Sequence, residues 1–221
     1  MNYEEGAPLD FSRFREKKQN IAEDKTWSIY LNAIQYAERK VNIREKVRGK
    51  HIFSQLVDKG ADEIIGGLEE AFFEWFLFDY KTISGKTIFH TFMNHTHQEW
   101  TEPERIQGAL FLTAALEPVE ITDVLSPNQF EVMPVLGKGS SSLVISKEPL
   151  DICVGYAFLR KIPLITTDML IGSVFVVKEW RVIEKLLADY KDAEKRGKKM
   201  TWRAFLKENS MKYAFCPESS L

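Results

Sequence analysis

The stretch AFFEWFLFDY, Ala71 to Tyr80, holds seven large apolar or aromatic side chains and two carboxylates, Glu74 and Asp79. Its reading decides the fold. Projected on a helix running from Ala61, Ile64, Leu68, Ala71, Phe72, Trp75 and Phe76 share one broad face, and Phe73, Leu77 and Tyr80 extend it behind. A helix with so little polar surface must be covered on more than one side, so the spacing predicts a core helix around which neighbours assemble. Glu63, Glu70 and Glu74 share the narrow polar arc, which predicts that Glu74 reaches solvent. Asp79 projects into the apolar face, where an unpaired carboxylate is costly. It therefore needs a partner, either backbone donors near Ser84 to Thr87 or an arginine such as Arg105. As paired acid and base Glu74 and Asp79 do not converge, since five positions on a helix point about 140° apart. Asp79 alone remains a catalytic candidate.

Working outward, Trp27, Leu31, Ile34, Ala37 and Val41 recur at helical steps and predict one long helix from Trp27 to His51. A short helix HIFSQLVDKG follows, with Gly60 expected to end it in a left-handed conformation. Beyond the core helix, a helix over Lys86 to Asn94 is expected. TEPE then supplies a capping box, Thr101 with Glu104, ahead of a helix over Ile106 to Leu116. From Pro118 the texture changes to short runs, VEITDVL, QFEVMPVL, SSLVIS, DICVGYAFLRKI, PLITT and GSVFVV, parted by turn signals that include DMLIG. These predict a small antiparallel sheet curled toward a barrel. Helix returns over Glu179 to Glu194, breaks at Gly197 and resumes after a Thr201 cap; the tail CPESSL is expected to be loose. The expected class is α+β: a mainly helical unit over 1–117, a small β-barrel-like unit over 118–178, and C-terminal helices with a tail over 179–221.

The run EWFLFDY, Glu74 to Tyr80, followed by GKT at Gly85 to Thr87 and then by the β segments, resembles a group of uncharacterised bacterial proteins. In these, such a helix precedes a GKT segment, further helices and a small β module. Some relatives carry a SEC-C zinc knuckle, the cysteine-rich module also seen at the end of the SecA translocation motor. The resemblance spans roughly Ala61 to Val177 and implies an architecture, a helical unit joined to a β unit. This chain departs from the SEC-C pattern, since YAFCPESSL has one cysteine, Cys216, where several ligands are required, and zinc-mediated partner binding is not implied.

Composition excludes several classes. With 221 residues, 44% hydrophobic and 28% charged, and a net charge of −2, the chain matches ordinary globular proteins and lacks a global attraction for nucleic acid or membrane. Cys153 and Cys216 are far apart, so neither a disulfide framework nor a cysteine zinc site is expected, which fits a reducing, cytoplasmic setting. MNYEEGAPLDF has no apolar signal core, and IPLITTDMLIGSVFVV is too short and too interrupted to span a membrane. GKGSSS, Gly137 to Ser142, lacks the order and flanks of a phosphate-binding loop and is expected to be a hairpin turn. No hydrolase elbow or dinucleotide fingerprint occurs, and no cofactor is implied.

HTFMNHTH brings His90, His95 and His97 within eight residues. Imidazoles ligate zinc or copper, and His90 and His97 could align across two turns, with Glu99 the nearest carboxylate. The spacing is wrong for the common helical pair, and solvated loop histidines are the preferred description. Charge is segregated: Arg39 to His51 is crowded with basic residues, Asp58 to Asp79 has seven acids against one lysine, and EKRGKKMTWRAFLKENSMK is basic. Arg44, Arg48, Lys195, Arg196, Lys198, Lys199, Trp202 and Arg203 are therefore candidate binding residues, since basic side chains beside an aromatic hold phosphates and stack on bases. A basic segment that faces the acidic helix, or only water, would look the same. The expected function is a non-enzymatic interaction or regulatory protein with a protein or nucleic-acid partner. The alternatives are an enzyme with Asp79, and His90 nearby, between the helical and β units, or a self-associating subunit.

Overall fold

Asn42 decides how the first helical segment divides. Its side chain accepts a hydrogen bond from the Arg44 backbone N–H at 2.8 Å, an N-cap that starts a new helix inside the stretch expected to be continuous. The chain forms α1, Phe11–Arg39, and α2, Ile43–Leu56, instead of one helix from Trp27 to His51. The computed structural model describes residues 11–96, 99–136, 139–197 and 200–215. His97, Lys198, Lys199, Cys216, the tail, the N-terminal segment and the Gly137–Lys138 part of the expected hairpin turn lie outside the described residues.

After α2 the left-handed residue is Asp58, at φ 51, while Gly60 has φ −64, so the expected role of Gly60 falls to its neighbour. A 3-10 turn, Ala61–Glu63, precedes the core helix α3, Gly67–Phe78, which starts later than Ala61. Gly49 lets α2 approach α3 closely, since a Cβ there would stand 2.6 Å from the Phe76 ring. Helices α4, Ile88–Thr96, and α5, Glu102–Thr113, follow, and α5 opens with the expected capping box: Glu104 accepts from the Thr101 backbone N–H at 2.7 Å. Phe78 stands between Phe89 and Phe111, with ring centroids 5.4 and 5.9 Å away. Phe72, Trp75, Phe76, Leu77 and Phe78 are all buried within the single chain. The apolar girdle of α3 therefore needs no second copy to cover it.

Among the described residues seven strands follow: β1 Glu117–Ser126, β2 Gln129–Pro134, β3 Ser142–Ile145, β4 Gly155–Leu159, β5 Lys161–Pro163, β6 Asp168–Leu170 and β7 Phe175–Val177. They pair in the order β5-β6-β3-β2-β1-β4-β7 and form a half-barrel. The sheet is mixed, because β6 runs parallel to β3 while the other pairs are antiparallel. The turn expected at DMLIG lies earlier, where Leu164 N–H donates to Thr167 O at 2.9 Å, and Asp168 to Leu170 is strand. Gln19 of α1 fastens that turn: its Oε1 accepts from the Ile165 and Thr166 backbone N–H groups at 3.1 and 3.0 Å, and its Nε2 donates to Thr167 Oγ1 at 2.7 Å.

Strand alternation divides the core. Phe158 and Met169 face the helices and join the large cluster that includes Phe76, Phe78 and Phe111. Ala157, Leu159 and Leu170 point the other way and fill the curl of the sheet with Val119, Ile121 and Phe130. Helices α6, Trp180–Lys195, and α7, Trp202–Ala214, close the structure, and Thr201 caps α7 by accepting from the Ala204 backbone N–H at 3.2 Å. Ile183, Leu186, Phe205 and Leu206 belong to the same large cluster, so helices and sheet share one core. Among the described residues no helix is long and apolar enough to cross a membrane.

Candidate functional site

The two carboxylates of the core helix exchange the places expected of them. Asp79, just past the end of α3, is held by Arg160 between β4 and β5: Nη2 donates to Oδ2 at 2.6 Å and Nη1 to Oδ1 at 3.4 Å. Nη1 also donates to the Ala114 carbonyl at 2.8 Å, and the guanidinium lies 4.7 Å from the Phe78 ring centroid. Asp79 thus has an arginine partner, but it is Arg160, and neither Arg105 nor the Ser84–Thr87 backbone supplies the bond. The signal was in the sequence: alternation along β4 puts Arg160 on the inward face of Phe158, where a cation requires an anion. Lys207 of α7 donates to the Phe78 carbonyl at 3.3 Å. Burial pushes its ammonium down to about 8, against the opposing pull of Asp79 and with help from Arg160. With both oxygens bound to a guanidinium, Asp79 is built as an anchor between α3 and the sheet.

Glu74, expected at the solvent edge, is instead 5% exposed. The turn after β6 covers it: the Ser173 backbone N–H donates to Oε1 at 2.9 Å and Ser173 Oγ to the same oxygen at 2.8 Å. Gly172 makes this cover possible, because it has φ +76 and an added Cβ would stand 2.3 Å from the Glu74 carboxyl. Burial pushes the Glu74 carboxyl up to about 7; the Ser173 bonds and Arg160 oppose the shift and Glu70 adds to it. The arc expected to carry Glu74 to water is broken, because Glu63 belongs to the separate 3-10 turn, while Glu70 remains exposed.

Glu74 lines a cavity of about 430 Å³ between α1, α3 and the sheet. One face of α1 contributes Trp27, Tyr30 and Glu38, and α3 contributes Glu70 and Phe73. The segment after β3 adds Glu148, and Gly172 and Ser173 close the far side. Burial raises the Tyr30 phenol well above its ordinary value, and Glu74 adds to that shift. A space between the helical and β units therefore exists, but it is Glu74, not Asp79, that lines it.

The basic candidates fall in two places. Arg44 and Arg48 stand exposed on α2 around the aliphatic side chains of Ile43 and Val47, and with His51 they bound a shallow depression. Glu45 turns toward the core helix, accepting from the Tyr80 hydroxyl at 2.6 Å and pairing with Arg48 at 3.9 Å. Lys195, Arg196 and Arg203 are exposed around the α6–α7 connection, where Lys195 pairs with Asp192 at 3.2 Å. Trp202 is half-buried, its ring 4.9 Å from Tyr190 and 6.0 Å from Phe205, so it packs the helix pair together. His90 lies 3.1 Å from Asn94 through Nδ1, and His95 packs on Tyr36 with ring centroids 5.8 Å apart. Among the described residues no group of three or more His, Cys, Asp or Glu is placed to hold a metal ion.

Comparison of the chain with protein-family models, with curated proteins and with solved structures finds no match.

Proposed function

We propose that this protein is a non-enzymatic interaction protein whose helix α2 docks an acidic polypeptide segment bearing apolar side chains. One observation carries the reading: Ile43 and Val47, a turn apart, are 69% and 63% exposed beside the exposed Arg44 and Arg48. Aliphatic side chains left in water beside arginines are matched by a partner that supplies both apolar contact and carboxylates. A polypeptide is favoured over nucleic acid because the exposed apolar side chains of this face, Ile43 and Val47, are aliphatic, and His51 is the one ring among the described residues that bound the depression. The aromatic of the other basic segment, Trp202, is occupied by Tyr190 and Phe205.

The test is photo-crosslinking in cells from benzoylphenylalanine placed at Val47, with Ile83, which is 81% exposed on the turn before α4, as the control position. The expected result is a discrete crosslink to an acid-rich polypeptide from position 47 only, abolished by Arg44→Glu together with Arg48→Glu. No crosslink, a crosslink to nucleic acid, or equal labelling from both positions would refute the proposal.

A further inference from the structure

We infer that the cavity lined by Glu74 binds an organic ammonium ion with an apolar body. This site is separate from the α2 face and independent of the partner proposed there. The sign of the ligand follows from the lining. Glu38, Glu70, Glu74 and Glu148 border the space, and no Lys, Arg or His is among the described residues that line it. The lining thus holds four acids and no basic side chain, and a bound cation offsets the repulsion among those that are ionised.

Acidity is not the only pointer. Glu74 is more than nine-tenths buried, both Ser173 donors end on its Oε1, and none of the described hydrogen bonds reaches Oε2. Oε2 is therefore the acceptor that remains for a donor entering the cavity. Trp27 and Tyr30, with ring centroids 5.4 Å apart, and Phe73 supply aromatic lining suited to an ammonium and to the methylenes attached to it. The depth is graded too, since Glu74 is buried whereas Glu38, Glu70 and Glu148 are exposed at the rim.

A bare metal ion fits poorly. Hard divalent ions take six or more oxygens, whereas rings and the aliphatic side chains of Leu31, Ile34 and Leu150 form much of this lining. The volume, about 430 Å³, lies within the range that encloses small organic ligands.

Isothermal titration calorimetry on the full chain at pH 8 tests the inference with 1,5-diaminopentane and 2-phenylethylamine as probes. Their uncharged counterparts, 1,5-pentanediol and 2-phenylethanol, are the controls. At least one amine is expected to bind, its alcohol at least tenfold more weakly, and Glu74→Gln is expected to weaken the amine at least tenfold. Glu38→Gln with Glu148→Gln changes only exposed rim carboxylates and is expected to weaken binding about threefold or more, which keeps the test valid should the buried variant not fold. Neither amine binding at millimolar concentration, an alcohol matching its amine, or unchanged affinity in the variants would overturn the inference.

Discussion

Replacing Glu74 by glutamine changes how stability depends on pH, and the sign distinguishes a buried acid from a surface one. In the folded chain burial pushes this carboxyl from 4.5 up to about 7. Between those values the folded state holds a proton that the unfolded state has released, so raising the pH favours unfolding. Each pKa unit corresponds to about 1.4 kcal/mol, so the ionised carboxylate lowers stability by roughly 3 kcal/mol once the pH is well above 7. At pH 4.5 the folded carboxyl is protonated and the unfolded one half ionised, so only about 0.4 kcal/mol of the loss is present. Glutamine keeps an oxygen for the Ser173 donors and cannot ionise. The advantage of Glu74→Gln over the parent should therefore grow by roughly 3 kcal/mol between pH 4.5 and pH 9. Urea unfolding of both proteins across that range, without added amine, measures the difference. Glu117, whose carboxyl burial also raises, is common to both proteins and drops out of the comparison. Parallel stability curves, or an advantage that shrinks as pH rises, would show that Glu74 is solvated and would refute the reasoning.

Other outcomes follow from the same geometry. Arg160→Met leaves Asp79 buried without its cation and should destabilise by about 3–5 kcal/mol; adding Asp79→Leu should recover much of that loss, and chemical denaturation of the single and double variants checks the coupling. Gly172→Ala places a methyl against the Glu74 carboxyl in a left-handed conformation and should cost at least about 1–2 kcal/mol, read as a lowered thermal midpoint. An undiminished midpoint would mean that the turn does not close on Glu74 as described. Lys207, pushed down to about 8, releases its proton in the folded state while the unfolded state still holds it, so stability contributed by this group rises from about pH 8 to 10.5. Lys207→Met should remove that rise, and identical pH slopes for the two proteins by thermal scanning would contradict the shift.

Where local chemistry decided, the sequence was legible. The capping box of Thr101 and Glu104 and the Thr201 cap stand where their spacing places them, because a cap involves only neighbours within one turn. The aromatic spacing of Ala71 to Tyr80 placed the core helix correctly, since burying so many rings outweighs weaker preferences. Asn42 was overlooked because periodicity counts apolar steps and is blind to a cap that interrupts them. The parallel pairing of β3 with β6 was hidden for another reason: alternation tells which face a side chain takes but not which strand lies alongside.

The sequence by itself determined the α+β class, the succession of N-terminal helices, sheet and C-terminal helices, the core helix and the need of Asp79 for a buried partner. Only the tertiary structure decided which acid lies beside open space. Arg160 reaches Asp79 from 81 residues away, and Ser173 covers Glu74 from 99 residues away. A helical projection assigns each carboxylate a direction, but its charge state depends on what solvates it. That is settled by segments distant in the chain that arrive only when the sheet folds back on the helices.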